Sequence, residues 1–235
     1  MIFDNISSDE KIKEWVNQSY QECKASYPIP EKGRIAFDVG ANVGGFCIHA
    51  HKNFDKIFAF EPMIENYNVL LGVIETLGIK NVEVFNTAIY SDSNKSLPLR
   101  VYGGNHTKDI TCADFVNEDT VEIDQQCQTI SLKDALDALG INRLDYLKLD
   151  CEGSEYAILE NFNDYDKIGW ICMEMHSFYG IERKNDLLNK LCKHFHFADI
   201  QREGHFKVKD LFINIENIES LENLHNVLLI NRNIT

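Results

Sequence analysis

Asp38-Val39-Gly40-Ala41-Asn42-Val43-Gly44-Gly45-Phe46 joins a short apolar run to a helical pattern, and this one bend decides the architecture. The run is Ile35 to Val39, and the helix beyond it carries Val43, Phe46, Cys47 and Ala50 at spacings of three, four and seven. A strand that turns through glycine into a helix opens a parallel sheet with crossover helices. Glycine lets the backbone turn sharply there and lets a ligand approach with no Cβ in the way.

Working outward, a second strand over Ile57–Phe60 stops at Glu61-Pro62, and Pro62 suits the first turn of a helix. That helix shows Tyr67, Leu70, Leu71, Ile74 and Leu77 on one face, with Gly78 as its stop. A third strand covers about Val82–Asn86. Residues 91–127 then interrupt the pattern as a polar insertion, with Gly103-Gly104 and six acids between Asp109 and Asp124. Strand-like pieces are expected there at Leu97–Tyr102 and Val121–Ile123, joined by a mobile loop. Regularity returns with a helix near Leu132–Leu139, a strand at Asp145–Leu149 and a helix with Ser154 near its N-cap. A strand at Trp170–Met175 precedes a helix facing inward through Leu187, Leu188, Leu191 and Cys192. Strand-like pieces near Phe195–Ile200, Leu211–Ile215 and Val227–Ile230 include a candidate antiparallel closing strand. Residues 1–33 read as a helical extension of the same domain, and 34–235 as its body. The expected class is α/β: one doubly wound, mostly parallel sheet.

Composition narrows the function classes. The 235 residues suffice for one large domain with a real core. A formal charge of −14, with no cluster of Lys and Arg, argues against a nucleic-acid partner. No apolar run approaches a membrane span, and the acidic start MIFDNISSDEKIKEW lacks the pattern of a secretory signal. Seven scattered cysteines with no C-x-x-C pair resemble neither a disulfide framework nor a zinc site; Cys47, Cys172 and Cys192 read as core. A cytoplasmic protein is expected, and a homo-oligomer is compatible.

Glu61 ends the second strand about twenty residues after the bend, where an acid accepts hydrogen bonds from ribose hydroxyls. Bend and acid together describe a nucleoside site at the carboxyl edge of the sheet; the bend alone would serve equally for tight helix-on-strand packing. A dinucleotide site prefers glycine where this chain has Asn42, so that pyrophosphate can sit on the helix N-terminus. Asp38 before the bend suits a cationic ligand end instead. S-adenosylmethionine is favoured over NAD.

The series F-D-V-G-A-N-V-G-G-F, F-A-F-E-P, N-T-A-I-Y-S-D, Y-L-K-L-D-C-E-G-S-E and I-C-M-E-M-H resembles the FkbM family of class I methyltransferases, over about Ile35 to His176. The first and fourth blocks in combination are the specific part. The resemblance implies a seven-stranded sheet, S-adenosylmethionine as methyl donor, and O-methylation of a sugar or other small hydroxylated acceptor. It implies that Asp38, Gly40, Ala41, Asn42 and Gly44 line the methionine end and the turn. Glu61 would take the ribose, Thr87 and Ala88 would lie beside the adenine, and Asp150 would border cofactor and acceptor alike. The insertion at 91–127, where substrate choice would be made, is poorly covered.

Asp150, Glu152, Glu174 and His176 follow two strands on the ligand-binding side of the sheet. Methyl transfer is an in-line displacement in which the acceptor oxygen must be aligned and lose its proton. His176 is a candidate base, since an unperturbed imidazole titrates near 6.5; Asp150 is a second candidate, or orients the acceptor. The plainer alternatives are that Asp150 and Glu152 shape a helix start, that Glu174 is a solvated acid and that His176 is a hydrogen-bonded loop residue. Asp150, Glu174 and His176 are also the expected ligands if a divalent metal is used. Tyr102, His106 and Tyr179 are candidates for the border of an acceptor pocket. A NAD-dependent oxidoreductase and a non-catalytic nucleoside-binding module remain the alternatives.

Overall fold

The computed structural model describes residues 6–102, 110–112, 120–176, 179–199 and 226–234. Helix α1 (Glu10–Ser26) precedes β1 (Gly33–Val39), α2 (Gly45–Ala50), β2 (Phe54–Phe60), α3 (Ile64–Thr76) and β3 (Val82–Phe85). The next strands are β4 (Ala88–Tyr90), β5 (Ser96–Tyr102), β6 (Ile110–Thr111) and β7 (Thr120–Ser131). The chain continues through α4 (Leu132–Ala138), β8 (Leu144–Leu149), α5 (Glu155–Asn161), β9 (Ile168–Glu174), α6 (Ile181–Leu191), β10 (Phe195–Asp199) and β11 (Asn226–Asn231).

Seven strands form the main sheet in the order β10-β11-β9-β8-β1-β2-β3. All neighbours are parallel except at β11, which runs antiparallel to both β9 and β10. From β1 the chain winds one way to β2 and β3, and later the other way to β8 and β9. The crevice past the carboxyl ends of β1 and β8 is therefore the switch point where such sheets hold ligands. Strand alternation divides the core: Phe37, Val39, Leu147 and Leu149 pack on one face, Ala36 and Tyr146 on the other. Asp38 and Lys148 fall in register opposite each other, on the Ala36 and Tyr146 face.

Helix α3 is shifted from expectation. Its buried side is Asn66, Leu70, Val73 and Ile74, while Leu71 is 40% exposed. Pro62 stays outside the helix because the Glu61 carboxylate takes the Met63 amide at 2.9 Å and fixes an extended entry. Gly78 does stop the helix: at φ +64° it donates to Glu75, and Ile79 donates back to Ile74, both at 3.0 Å. The insertion is largely a second sheet, ordered β4-β7-β5-β6, around buried Leu99, Val101 and Cys127. Of the expected loop, residues 103–109 and 113–119, with Gly103-Gly104 and His106, lie outside the described residues, as does the strand expected at Leu211–Ile215. No helix among the described residues is long and apolar enough to cross a membrane.

Candidate active site

The bend after β1 is held by hydrogen bonds that use up its backbone. The amides of Gly40 and Ala41 both donate to the Phe60 carbonyl, at 3.0 and 3.1 Å, and Gly44 donates to Ala41 at 2.9 Å. Gly40 sits at φ +72°, and a Cβ there would fall 1.8 Å from the Asp150 carbonyl oxygen. The loops leaving β1 and β8 thus touch through a glycine that no other residue could replace. Asn42 also adopts positive φ, at +49°. Its Oδ1 is buried with no partner in the protein.

Above the bend lies a cavity of about 460 Å³, reached by Gly40, Ala41, Asn42, Glu61, Ala88 and Asp150. That volume is in the ordinary range for small-molecule sites. Glu61 is 4% exposed, and its carboxylate accepts the amides of Asn42 at 2.7 Å and Met63 at 2.9 Å. Asn86 braces this corner by donating to the carbonyls of Glu61 and Pro62, both at 2.9 Å. Burial pushes the Glu61 carboxyl up to about 7, although the two amide bonds and Lys148 pull the other way. Ala88 stands in the wall; Thr87 is half-buried beside it and outside the lining. Gly44 caps the start of α2, away from the cavity.

Asp38 does not line the cavity. Its carboxylate is buried, 3.1 Å from Lys148 Nζ, and accepts from the Cys47 thiol at 3.3 Å. Lys148 was not among the expected residues, and it is the cation of the site. It is 2% exposed, donates to the Gly40 carbonyl at 2.7 Å and lies 3.8 Å from Asp150. Burial alone would lower its pKa, but Asp38 and Asp150 outweigh that and hold it above the ordinary lysine range. One signal in the sequence points to it: a lone cation inside the apolar strand Y-L-K-L.

The other charged lining groups are carboxylates. Glu22, Glu61, Asp150, Glu152 and Glu174 face the cavity, with Lys148 the one lysine or arginine among the described lining residues. Burial and the charges of Asp150 and Glu174 keep the Tyr27 phenol protonated. Glu152, at φ +52°, holds His176 Nε2 at 3.0 Å. On the other side of the ring, Nδ1 lies 3.5 Å from buried Glu155. Burial would lower the imidazole's pKa, yet the two carboxylates push it up to about 12. His176 lies outside the cavity lining, between two carboxylates that favour its protonated form, and its contact orients Glu152. Glu152 itself is raised, first by burial and against the pull of His176.

The ligand set Asp150, Glu174 and His176 does not come together either. Among the described residues, no group of three His, Cys, Asp or Glu side chains could hold a metal ion. Ser154 occupies the N-cap of α5 without capping it; its hydroxyl pairs with Thr111 at 3.3 Å, and Glu155 takes the Cys151 amide at 2.9 Å instead. Tyr179 packs edge-on against Tyr156 and under Arg183.

A model of the methyltransferase FkbM domain matches residues 38–214. The chain belongs to the FkbM methyltransferase family. The oxidoreductase alternative gives way to that membership. The sheet is seven-stranded and mostly parallel, as the resemblance to that family implies. Among solved structures, the FkbM methyltransferase from Methylobacillus flagellatus is 11% identical, with 97% of this chain and 58% of that one covered at a TM-score of 0.49. An rRNA methylase from Streptococcus thermophilus is 11% identical over 96% and 98% of the two chains, at 0.46. A SAM-dependent methyltransferase from Aquifex aeolicus is 12% identical over the same shares, at 0.46. No curated protein matches the chain. The FkbM domain takes in the bend, Glu61, Lys148, His176 and the second sheet, and leaves α1 outside.

Proposed function

We propose that this FkbM-family protein uses S-adenosylmethionine to methylate a hydroxyl of a small, uncharged acceptor, with a saccharide as the leading class. The observation that carries the reading is one cavity in which the Gly40 bend, Glu61 and the carboxylates of Asp150 and Glu152 meet. The residues present suit the cofactor. Gly40 leaves room against the Asp150 backbone, and Asn42 Oδ1 is a buried acceptor awaiting a donor such as an ammonium. Glu61, already fixed by two backbone amides, offers its remaining lone pairs to ribose hydroxyls. Five acids against one lysine favour a ligand of net positive charge and disfavour pyrophosphate.

When bound, the cofactor supplies an electrophilic methyl group on a sulfonium. The chain's part is to align an acceptor oxygen and take its proton. Glu152 is the base this geometry favours: burial raises its proton affinity, and the His176 contact fixes its orientation. Asp150, in the cavity wall just past β8, would orient the acceptor hydroxyl. Lys148 keeps its proton and holds the bend. Carboxylates suit sugar hydroxyls, which donate in pairs, and the charge of −14 disfavours a polyanionic acceptor. Seven free thiols support a cytoplasmic setting.

Calorimetric titration with S-adenosylmethionine, S-adenosylhomocysteine and NAD tests the reading. Heat is expected with the first two alone, and no heat with either would sink it. Release of S-adenosylhomocysteine across a panel of neutral sugars then tests the acceptor class. A protein that binds cofactor but turns over none of the panel leaves a binding module standing.

A further inference from the structure

Trp15, Ser19, Glu22 and Ser26 follow one another on α1 at steps of four, three and four, so they share one face of the helix. That face forms the outer wall of the cavity. The helix is seated firmly. Val16 is fully buried with Val43, Ile48 and Val73. A Cβ at Gly45 would fall 2.3 Å from Ser19 Oγ and 2.5 Å from its carbonyl, so α1 rests on the first turn of α2 where only glycine fits. Just past the helix, Tyr27 meets Phe46 edge-on at 6.2 Å, and Tyr146 donates to the Pro28 carbonyl at 2.8 Å.

We propose that α1, which lies outside the matched FkbM domain, is part of the cofactor-binding site, with Trp15 and Glu22 contacting the bound S-adenosyl ligand from the side opposite the glycine bend. This rests on the cofactor reading above. Ser19 lies against Gly45, which places Trp15 and Glu22 one turn either side of that contact, over the bend that receives the aminoacyl end. An indole face and a carboxylate are the groups that stabilise an ammonium or sulfonium at close range. The matched domain therefore supplies the floor of the site, and a helix that precedes it supplies the facing wall.

Calorimetry with S-adenosylhomocysteine on the full chain tests this. Trp15→Ala should weaken binding about tenfold, and Trp15→Phe, which keeps an aromatic face, should recover most of it. Glu14→Gln, on the exposed side of the same helix, should bind as the wild type does. Glu22→Gln should weaken S-adenosylmethionine more than S-adenosylhomocysteine, because only the former carries the sulfonium charge. If Trp15→Ala unfolds, amide exchange in the wild type decides: residues 15–26 should slow on adding S-adenosylhomocysteine, and unchanged exchange overturns the proposal. Wild-type affinity in Trp15→Ala overturns it too, while the cofactor reading stands. A wild type that binds neither ligand removes the cofactor reading and this inference together.

Discussion

Lys148 donates to the carbonyl of Gly40 at 2.7 Å, and the same ammonium lies 3.1 Å from buried Asp38. The register of β1 against β8 sets Asp38 and Lys148 opposite each other on one face of the sheet. The ion pair is thus part of the sheet, and the bend hangs from it.

Lys148→Met should therefore destabilise the protein by about 3 kcal/mol or more, because it strands a buried carboxylate. Adding Asp38→Asn should restore most of that stability without restoring cofactor affinity, since the Gly40 carbonyl is still unanchored. Urea unfolding and calorimetry on the two variants check this; a Lys148→Met protein as stable as wild type would refute it.

Gly40 and Gly140 have nearly the same φ, +72° and +66°, in different surroundings. A Cβ at Gly140 meets nothing within 4 Å, whereas at Gly40 it meets the Asp150 backbone. Gly140→Ala should lose about 1 kcal/mol from left-handed strain alone and keep its binding. Gly40→Ala should lose about 3 kcal/mol and all detectable cofactor binding. Equal losses in thermal unfolding would show that the β1–β8 contact is unimportant.

Glu61 binds its proton up to about pH 7 in the folded protein, against 4.5 for the free side chain. Its contribution to stability is full below 4.5 and is lost as pH rises through 7. Ribose hydroxyls need the ionised form, so affinity for S-adenosylhomocysteine should rise about tenfold between pH 6 and 8. Glu61→Gln should flatten that profile. A steep profile surviving in Glu61→Gln would move the titration to another group.

His176 is raised to about 12 from 6.5 by its two carboxylates. Its stabilising effect is complete below 6.5 and fades as pH rises toward 12. His176→Asn should lose about 3 kcal/mol at pH 6.5 and visibly less at pH 9.5, with cofactor affinity unchanged. A stability difference independent of pH, read by urea unfolding, would mean the ring is neutral in the folded state.

The sheet and the bend were legible because their signals are local. Ile35–Val39, Ile57–Phe60 and Asp145–Leu149 are short apolar runs between turn residues, and Gly78 and Glu61 work at fixed offsets from them. The second sheet was obscured because Thr120–Ser131 is polar along most of its length, with Cys127 and Thr129 its buried positions. The surroundings of His176 were hidden for a different reason. An imidazole's proton affinity depends on neighbours, and Glu155, the second of the two carboxylates beside it, is buried by tertiary packing no local pattern announces. Lys148 needed the register of two strands more than a hundred positions apart in the chain. Side chains acting through neighbours distant in sequence are where single-chain reading stops.

Strand β11 lies between β9 and β10 although it comes after both, and Asn226 pairs with Glu174 at the cavity's edge. During synthesis β9 therefore emerges from the ribosome long before the neighbour that covers its outer edge. Until residues 226–231 arrive, an apolar strand edge stays open to other chains. Nascent protein should depend on chaperone shelter over that interval, and the cavity's Glu174 side reaches its final shape only once β11 has joined the sheet.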